Sequence, residues 1–268
     1  SNGNSTSSNG EYEMLPFASS DVYSQYCNHR NVSRSVSEKR DILIVSSTSW
    51  TEDEDFSMLL SAMSQLDRTL QSLQKKNVNS KKNILYIPKI TMVVTGKGPL
   101  KSYYEGEFEK LNHILEFVRF RTVWLEASEY PLLMSYADLG ICLHTSTSGL
   151  DLPMKVLDML GSGILIACTS YPTLTELIQH KFNGFIFNNE TELYLLILSL
   201  FYREAYLDYM SGVDTDNDTD SNDPRPTYTH VQETQYDVAG ILANVSTTQS
   251  WHEHWNGHMK PRVKQWLK

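Results

Sequence analysis

The feature that most constrains this chain is an alternation. Short buried-type apolar runs take turns with stretches whose apolar residues recur at helical spacing. The runs are ILIV after Asp41, ITMVV from Ile90, RFRTV from Arg119, LGICL from Leu139, ILIAC from Ile164 and FIF from Phe185. Each is too short for a helix and rich in β-branched residues, which marks a strand. Between the first two, Phe56, Leu59, Leu60, Met63, Leu66 and Leu70 fall on one helical face. Strands separated by helices close a parallel sheet through right-handed crossovers. The predicted fold class is therefore α/β, a Rossmann-like doubly wound parallel sheet.

The most informative stretch is residues 144–170, read as loop, helix and strand. Asp151 can cap, and Pro153 suits a first helical turn because the N–H it lacks has no partner there anyway. Met154, Leu157 and Leu160 set an apolar face, while Lys155 and Asp158 share another. Gly161 and Gly163 end the helix. Ser148, Gly149 and Leu150 lead into its N-terminus, where free N–H groups and the helix dipole favour a diphosphate. Gly149 lets the backbone approach closely. Lys155 adds a cation, and Asp158 can accept from both hydroxyls of a ribose. The same spacing also fits an ordinary loop and helix with a surface Lys and Asp.

Further along the chain, Thr51-Glu52-Asp53-Glu54 reads as a capping box, with its acidic residues pointing away from any anion. Gly96 and Gly98 in TGKGPL suit a tight turn, and Pro99 a helix start. The third glycine of a dinucleotide fingerprint is missing. His144 ends the ADLGICLH strand, at the carboxyl edge where ligands of open α/β sheets sit. There it either faces a ligand or holds the loop. TLTELIQH is predicted helical, as is Thr191 to Tyr209 with a break near Arg203.

A net charge of −9 argues against a nucleic-acid partner. The apolar run LYLLILSLFY at 193–202 is too short to span a bilayer. Cys27, Cys142 and Cys168 form no zinc or disulfide pattern. DTDNDTD lacks the glycine and terminal glutamate of a calcium loop. His252, His254 and His258 have metal-compatible spacing, but no further pattern supports it, and no metal site is expected. Residues 1–40 read as a loosely held lead-in, 41–210 as the Rossmann-like domain, 211–230 as a flexible acidic insertion and 231–268 as a C-terminal helical segment. The opening SNGNSTSSNG has no initiator Met, which suggests a fragment or processed product.

Four blocks, SSTSWTEDEDF at 46–56, TGKGPL at 95–100, YPLLMSYADLGICLH at 130–144 and HTSTSGLDLPMKVLDM at 144–159, occur in the order found in a known enzyme family. Together they make Asp41 to Leu200 resemble the C-terminal, donor-binding half of the chitobiosyldiphosphodolichol β-mannosyltransferases. These are GT-B glycosyltransferases that use GDP-mannose. The resemblance implies transfer of mannose, with inversion, to chitobiosyl-diphosphodolichol at the cytosolic face of the endoplasmic reticulum. It implies GDP-mannose as donor substrate, no cofactor, a lipid-linked chitobiose acceptor and other glycosyltransferases of the same pathway as partners. By position it puts Thr48 and Trp50 against the donor, with Gly96 and Lys97 at the phosphates. Lys97 reads equally as a solvated turn lysine. Trp124 and Leu125 would lie near guanine, with a core tryptophan as the alternative. The acceptor pocket and general base are expected in the other half, so no catalytic residue is assigned. The family's N-terminal membrane anchor has no counterpart in these residues. The competing reading is a non-catalytic module that binds a nucleotide sugar or a partner protein. An NAD-dependent oxidoreductase is disfavoured by the missing fingerprint.

Overall fold

A computed structural model of the chain describes residues 40–79, 86–146, 148, 151–210, 241 and 244. The lead-in before Arg40, the insertion at 211–230, Gly149, Leu150, Cys27 and the histidines 252, 254 and 258 lie outside the described residues. So does the 231–268 segment, except Ile241 and Asn244.

Six strands form: β1 Ile42–Ser47, β2 Ile90–Thr95, β3 Val118–Val123, β4 Leu139–Cys142, β5 Ile166–Thr169 and β6 Phe185–Phe187. The helices are α1 Phe56–Asn79, α2 Lys101–Asn112, α3 Tyr130–Tyr136, α4 Met154–Gly161, α5 Glu190–Phe201 and α6 Arg203–Met210. The sheet order is β3-β2-β1-β4-β5-β6, and every neighbouring pair is parallel. The order reverses between β1 and β4. Crossovers on either side of that point lie on opposite faces, so a crevice opens at the carboxyl ends of these two strands.

Strand side chains alternate between two cores, as the pleat requires. Ile42 and Ile44 join Leu59, Leu66, Leu70, Met92, Val94 and helix α5 on one face. Val45 joins Val93, Met134, Val156, Met159, Ile166 and Cys168 on the other. Cys142 and Cys168 are in register across β4 and β5, and both are free thiols.

Helix α1 buries Phe56, Leu59, Met63, Leu66 and Leu70, the face expected from their spacing. It runs to Asn79. Its buried Asp67 crosses to the start of β3. There Oδ1 accepts from the N–H groups of Glu116, Phe117 and Val118 at 3.0, 2.7 and 3.2 Å, and Oδ2 accepts from Gln71 Nε2 at 2.7 Å.

One local expectation is corrected, and the break expected near Arg203 is found. TLTELIQH forms a 3₁₀ turn, Pro172–Glu176, in place of a helix. Its neighbour Asn183 bonds the Gln179 N–H and the Leu177 carbonyl, closing the segment before another turn can form. The long helix after Asn189 breaks at Tyr202, whose φ of −133° and ψ of 55° are not helical. The Tyr202 hydroxyl donates to the Pro88 carbonyl at 2.8 Å, which fixes the bend.

No helix of the described residues is long and apolar enough to cross a membrane.

Candidate functional site

Four loops leave the carboxyl edge of the sheet, after β1, β2, β3 and β4. The β1 exit begins with Thr48, whose N–H continues the ladder to the Thr95 carbonyl at 2.9 Å. Trp50 then takes a left-handed conformation, φ 52°, and turns its ring inward. The ring is 0 % exposed and stacks on Phe56 with centroids 4.8 Å apart, with Phe108 at 6.0 Å. This corrects the expectation that Trp50 meets a donor. Apolar burial of a large aromatic outweighs the cost of its backbone conformation. Thr48 is buried as well, and its hydroxyl donates to Glu54, so it supports the loop and does not face the crevice.

Glu54 overturns a second expectation. It belongs to no capping box, because α1 starts at Phe56 and its true cap is Asp55, whose Oδ1 accepts from the Ser57 N–H at 2.9 Å. The Glu54 carboxylate turns inward and is 2 % exposed. Oε2 accepts from the Ser49 and Trp50 N–H groups at 2.8 and 3.1 Å and from the Thr48 hydroxyl. Oε1 pairs with Lys155 Nζ on α4. The apolar period contained the signal: it begins at Phe56, too late for Thr51 to cap.

The β2 exit explains TGKG. A Cβ on Gly96 would stand 1.8 Å from the Thr48 carbonyl oxygen, and one on Gly98 would stand 1.7 Å from that of Ser49. The two loops touch backbone to backbone, and Leu100 N–H donates to the Trp50 carbonyl at 3.0 Å. Between the glycines Lys97 is exposed, its Nζ 3.6 Å from the centroid of the Trp124 ring. Trp124, on the β3 exit, is 52 % exposed, which removes the core alternative. A cation over an open indole face makes a flat polar-rimmed platform. Leu125 beside it is half-buried.

The β4 exit carries His144. Its Nδ1 lies 2.9 Å from Asp53 Oδ2 and its Nε2 2.7 Å from Asp151 Oδ2, so the ring clips two loops together. Thr145 reinforces the clip, its N–H and hydroxyl both donating to the Asp53 carbonyl at 2.9 and 2.8 Å. Of its two readings, then, His144 holds the loop. Asp151 does not cap α4; its carboxylate takes the Ser146 hydroxyl and lies 3.4 Å from that of Ser148. Those hydroxyl and imidazole contacts lower its pKa from 3.8 to about 2. Burial works against the charged form of Asp53, yet hydrogen bonds from Thr51 and its own backbone, with His144 beside it, hold its pKa below 3.8.

Helix α4 follows an extended Pro153, φ −74° and ψ 112°, one residue later than its sequence suggests. Its buried residues are Val156 and Met159, while Met154 is 64 % exposed. The predicted stripe of Met154, Leu157 and Leu160 is thus rotated, because Val156 and Met159 are the α4 side chains that join the buried cluster of Cys142 and Ile166. Lys155 reaches Glu54 with its side chain still 21 % exposed. The Asp158 carboxylate has no hydrogen-bond or ion-pair partner among the described residues, and burial raises its pKa. Among the described residues no cluster of His, Cys, Asp and Glu fits a metal ion.

The structure therefore gathers Lys155, Asp158, Lys97, Trp124 and Leu125 on the loops and helix at one sheet edge. It assigns Thr48, Trp50, Gly96, His144 and Asp151 to building that edge.

Comparison with known proteins gives the following. No family model matches the chain. It is 44 % identical over 173 residues to the UDP-glycosyltransferase TURAN of Arabidopsis thaliana, covering 64 % of this chain and 37 % of that one. It is 45 % identical over 165 residues to the chitobiosyldiphosphodolichol beta-mannosyltransferase of Homo sapiens, covering 61 % and 32 %. To the enzyme of that name from Candida glabrata it is 42 % identical over 176 residues, covering 65 % and 36 %. The chain spans about a third of the length of these curated relatives. Among solved structures, the Anabaena Alr3699/HepE complex with UDP-glucose aligns with 70 % of this chain and 45 % of its own, at 18 % identity and a TM-score of 0.46.

Proposed function

We propose that this chain carries the donor-binding half of a mannosyltransferase, which takes mannose from GDP-mannose and delivers it to chitobiosyl-diphosphodolichol. Similarity above 40 % to proteins named for that reaction supports the reading. The observation that carries it is convergence. Lys97 after β2, Trp124 after β3 and Lys155 with Asp158 on α4, far apart in sequence, all follow the carboxyl ends of their strands, the edge at which the order reverses between β1 and β4. Nucleotides bind α/β sheets at such a point.

Each group has a task there. Lys155 and the α4 N-terminus bind the diphosphate and stabilise the charge it gains as the sugar departs. Lys97 adds a second, more exposed cation. Asp158, whose carboxylate has no hydrogen-bond or ion-pair partner among the described residues, accepts from the ribose hydroxyls. The Trp124 face opposite Lys97 stacks the base, with Leu125 beside it. No cofactor enters this scheme, and the nucleotide sugar is a substrate. The reading implies the cytosolic face of the endoplasmic reticulum, where a lipid-linked chitobiose would be met.

Calorimetric titration with GDP and with UDP tests both the site and the base preference. GDP should bind more tightly than UDP. Lys155→Ala and Asp158→Ala should each weaken GDP by about 1–3 kcal/mol, the scale of a lost charge-assisted or unpaired polar contact. Lys97→Ala should cost less. Unchanged affinity in both of the first two variants refutes the site, and tighter UDP binding refutes the guanine assignment.

A further inference from the structure

The Glu54–Lys155 pair serves neither a cap nor an exposed surface. Its carboxylate is buried at the loop root, and every one of its contacts is directional. The Ser49 and Trp50 N–H groups and the Thr48 hydroxyl converge on Oε2, leaving Oε1 to meet Lys155. Burying two charges costs desolvation that their attraction scarcely offsets, and an apolar pair of similar volume would hold α4 to this loop equally well. A lysine stem has four rotatable bonds and loses much entropy when fixed. Glu54 removes that freedom in advance, and Lys155 keeps two further N–H donors and part of its surface open.

We propose that Glu54 is a positioning residue: it holds the Lys155 ammonium at the crevice in the place where a nucleoside diphosphate's phosphates arrive. The inference rests on the donor-site reading above. Glu54 contacts the ligand at no point, and its effect runs through Lys155. The loop delivers this effect only because Gly96 and Gly98 let β2's exit press against Thr48 and Ser49. That contact fixes the three donors that aim the carboxylate.

The test is a double-mutant cycle on the full chain with Glu54→Gln, Lys155→Ala and both together. Gln is isosteric, and its carbonyl still accepts from Ser49 and Trp50, so the fold should hold; thermal melts confirm that. Glu54→Gln should weaken GDP about tenfold, the scale seen when the partner that orients a ligating group is removed. It should leave guanosine affinity unchanged, and it should add nothing in the Lys155→Ala background. A purely structural role would weaken both ligands and persist in that background; either result overturns the proposal, as does unchanged GDP affinity. Acylation of Lys155 by an amine-reactive ester, read by mass spectrometry, needs no ligand. It should accelerate in Glu54→Gln, and an unchanged rate also overturns the proposal. If the wild-type chain binds no GDP, the donor-site reading fails by itself and the acylation rate still judges the Glu54–Lys155 constraint.

Discussion

Replacing Asp67 by alanine removes the one acceptor that the described residues offer to three consecutive N–H groups at the head of β3. The Phe117 and Val118 amides are buried, and the Glu116 amide is partly so. Each buried donor left without a partner costs about 1–3 kcal/mol. Losing the charge relieves its desolvation, but breaking one side of a buried charged contact is strongly destabilising on balance. The two buried amides together set the expected loss at about 3–5 kcal/mol, a large fraction of the stability of a typical domain. Asp67→Asn keeps an oxygen toward the three amides but gives up the charge assistance and makes the Gln71 amide turn its oxygen to the new Nδ2, so it should cost about 1–2 kcal/mol. Urea denaturation followed by circular dichroism measures both, and hydrogen exchange should show the Phe117 and Val118 amides losing protection first in the alanine variant. Equal stability of the two variants, or a loss below about 1 kcal/mol for alanine, would falsify the account of β3 as pinned from helix α1.

Other outcomes follow from particular contacts. Gly98→Ala should cost about 1–3 kcal/mol and weaken GDP binding, because its Cβ would overlap the Ser49 carbonyl. Gly106→Ala, on open helix surface with nothing within 4 Å of its Cβ, should instead gain about 0.5–1 kcal/mol in thermal melts. Trp50→Ala should cost about 3–5 kcal/mol, as a fully buried aromatic does; a surface-like loss would mean that the ring faces the crevice after all. The Asp53 and Asp151 carboxylates have folded pKa values depressed below 3.8, so their contribution is complete above that pH and is lost as pH falls toward about 2. The Thr145 amide resonance, which reports the Asp53 loop, should therefore show the carboxylate transition below about pH 4. Absence of any transition below about pH 4 would contradict the clip.

Local patterns settled much of this protein. Strand and helix identities, the parallel sheet and the buried face of α1 were legible because burial on a pleat or a helix leaves a short-range period. Lys155 and Asp158 on one helix, and a glycine-bearing turn after β2, were legible for the same reason. What the pattern could not carry was direction across the molecule. Glu54 reads as one more acid in an acidic run, and its inward turn depends on Lys155, 101 residues away. Trp50 reads as a donor contact until Phe56 and Phe108 close around it. His144 has two readings until Asp53 and Asp151 stand on either side of it. The α4 stripe rotates because the sheet face beneath it, not its own period, decides which side is covered. The contacts that decide these orientations, Glu54 with Lys155, Trp50 with Phe108 and His144 with Asp53, join residues from different elements. A side chain's partner there is set by the loop packing that the assembled sheet creates, and no window of sequence contains both halves of the pair.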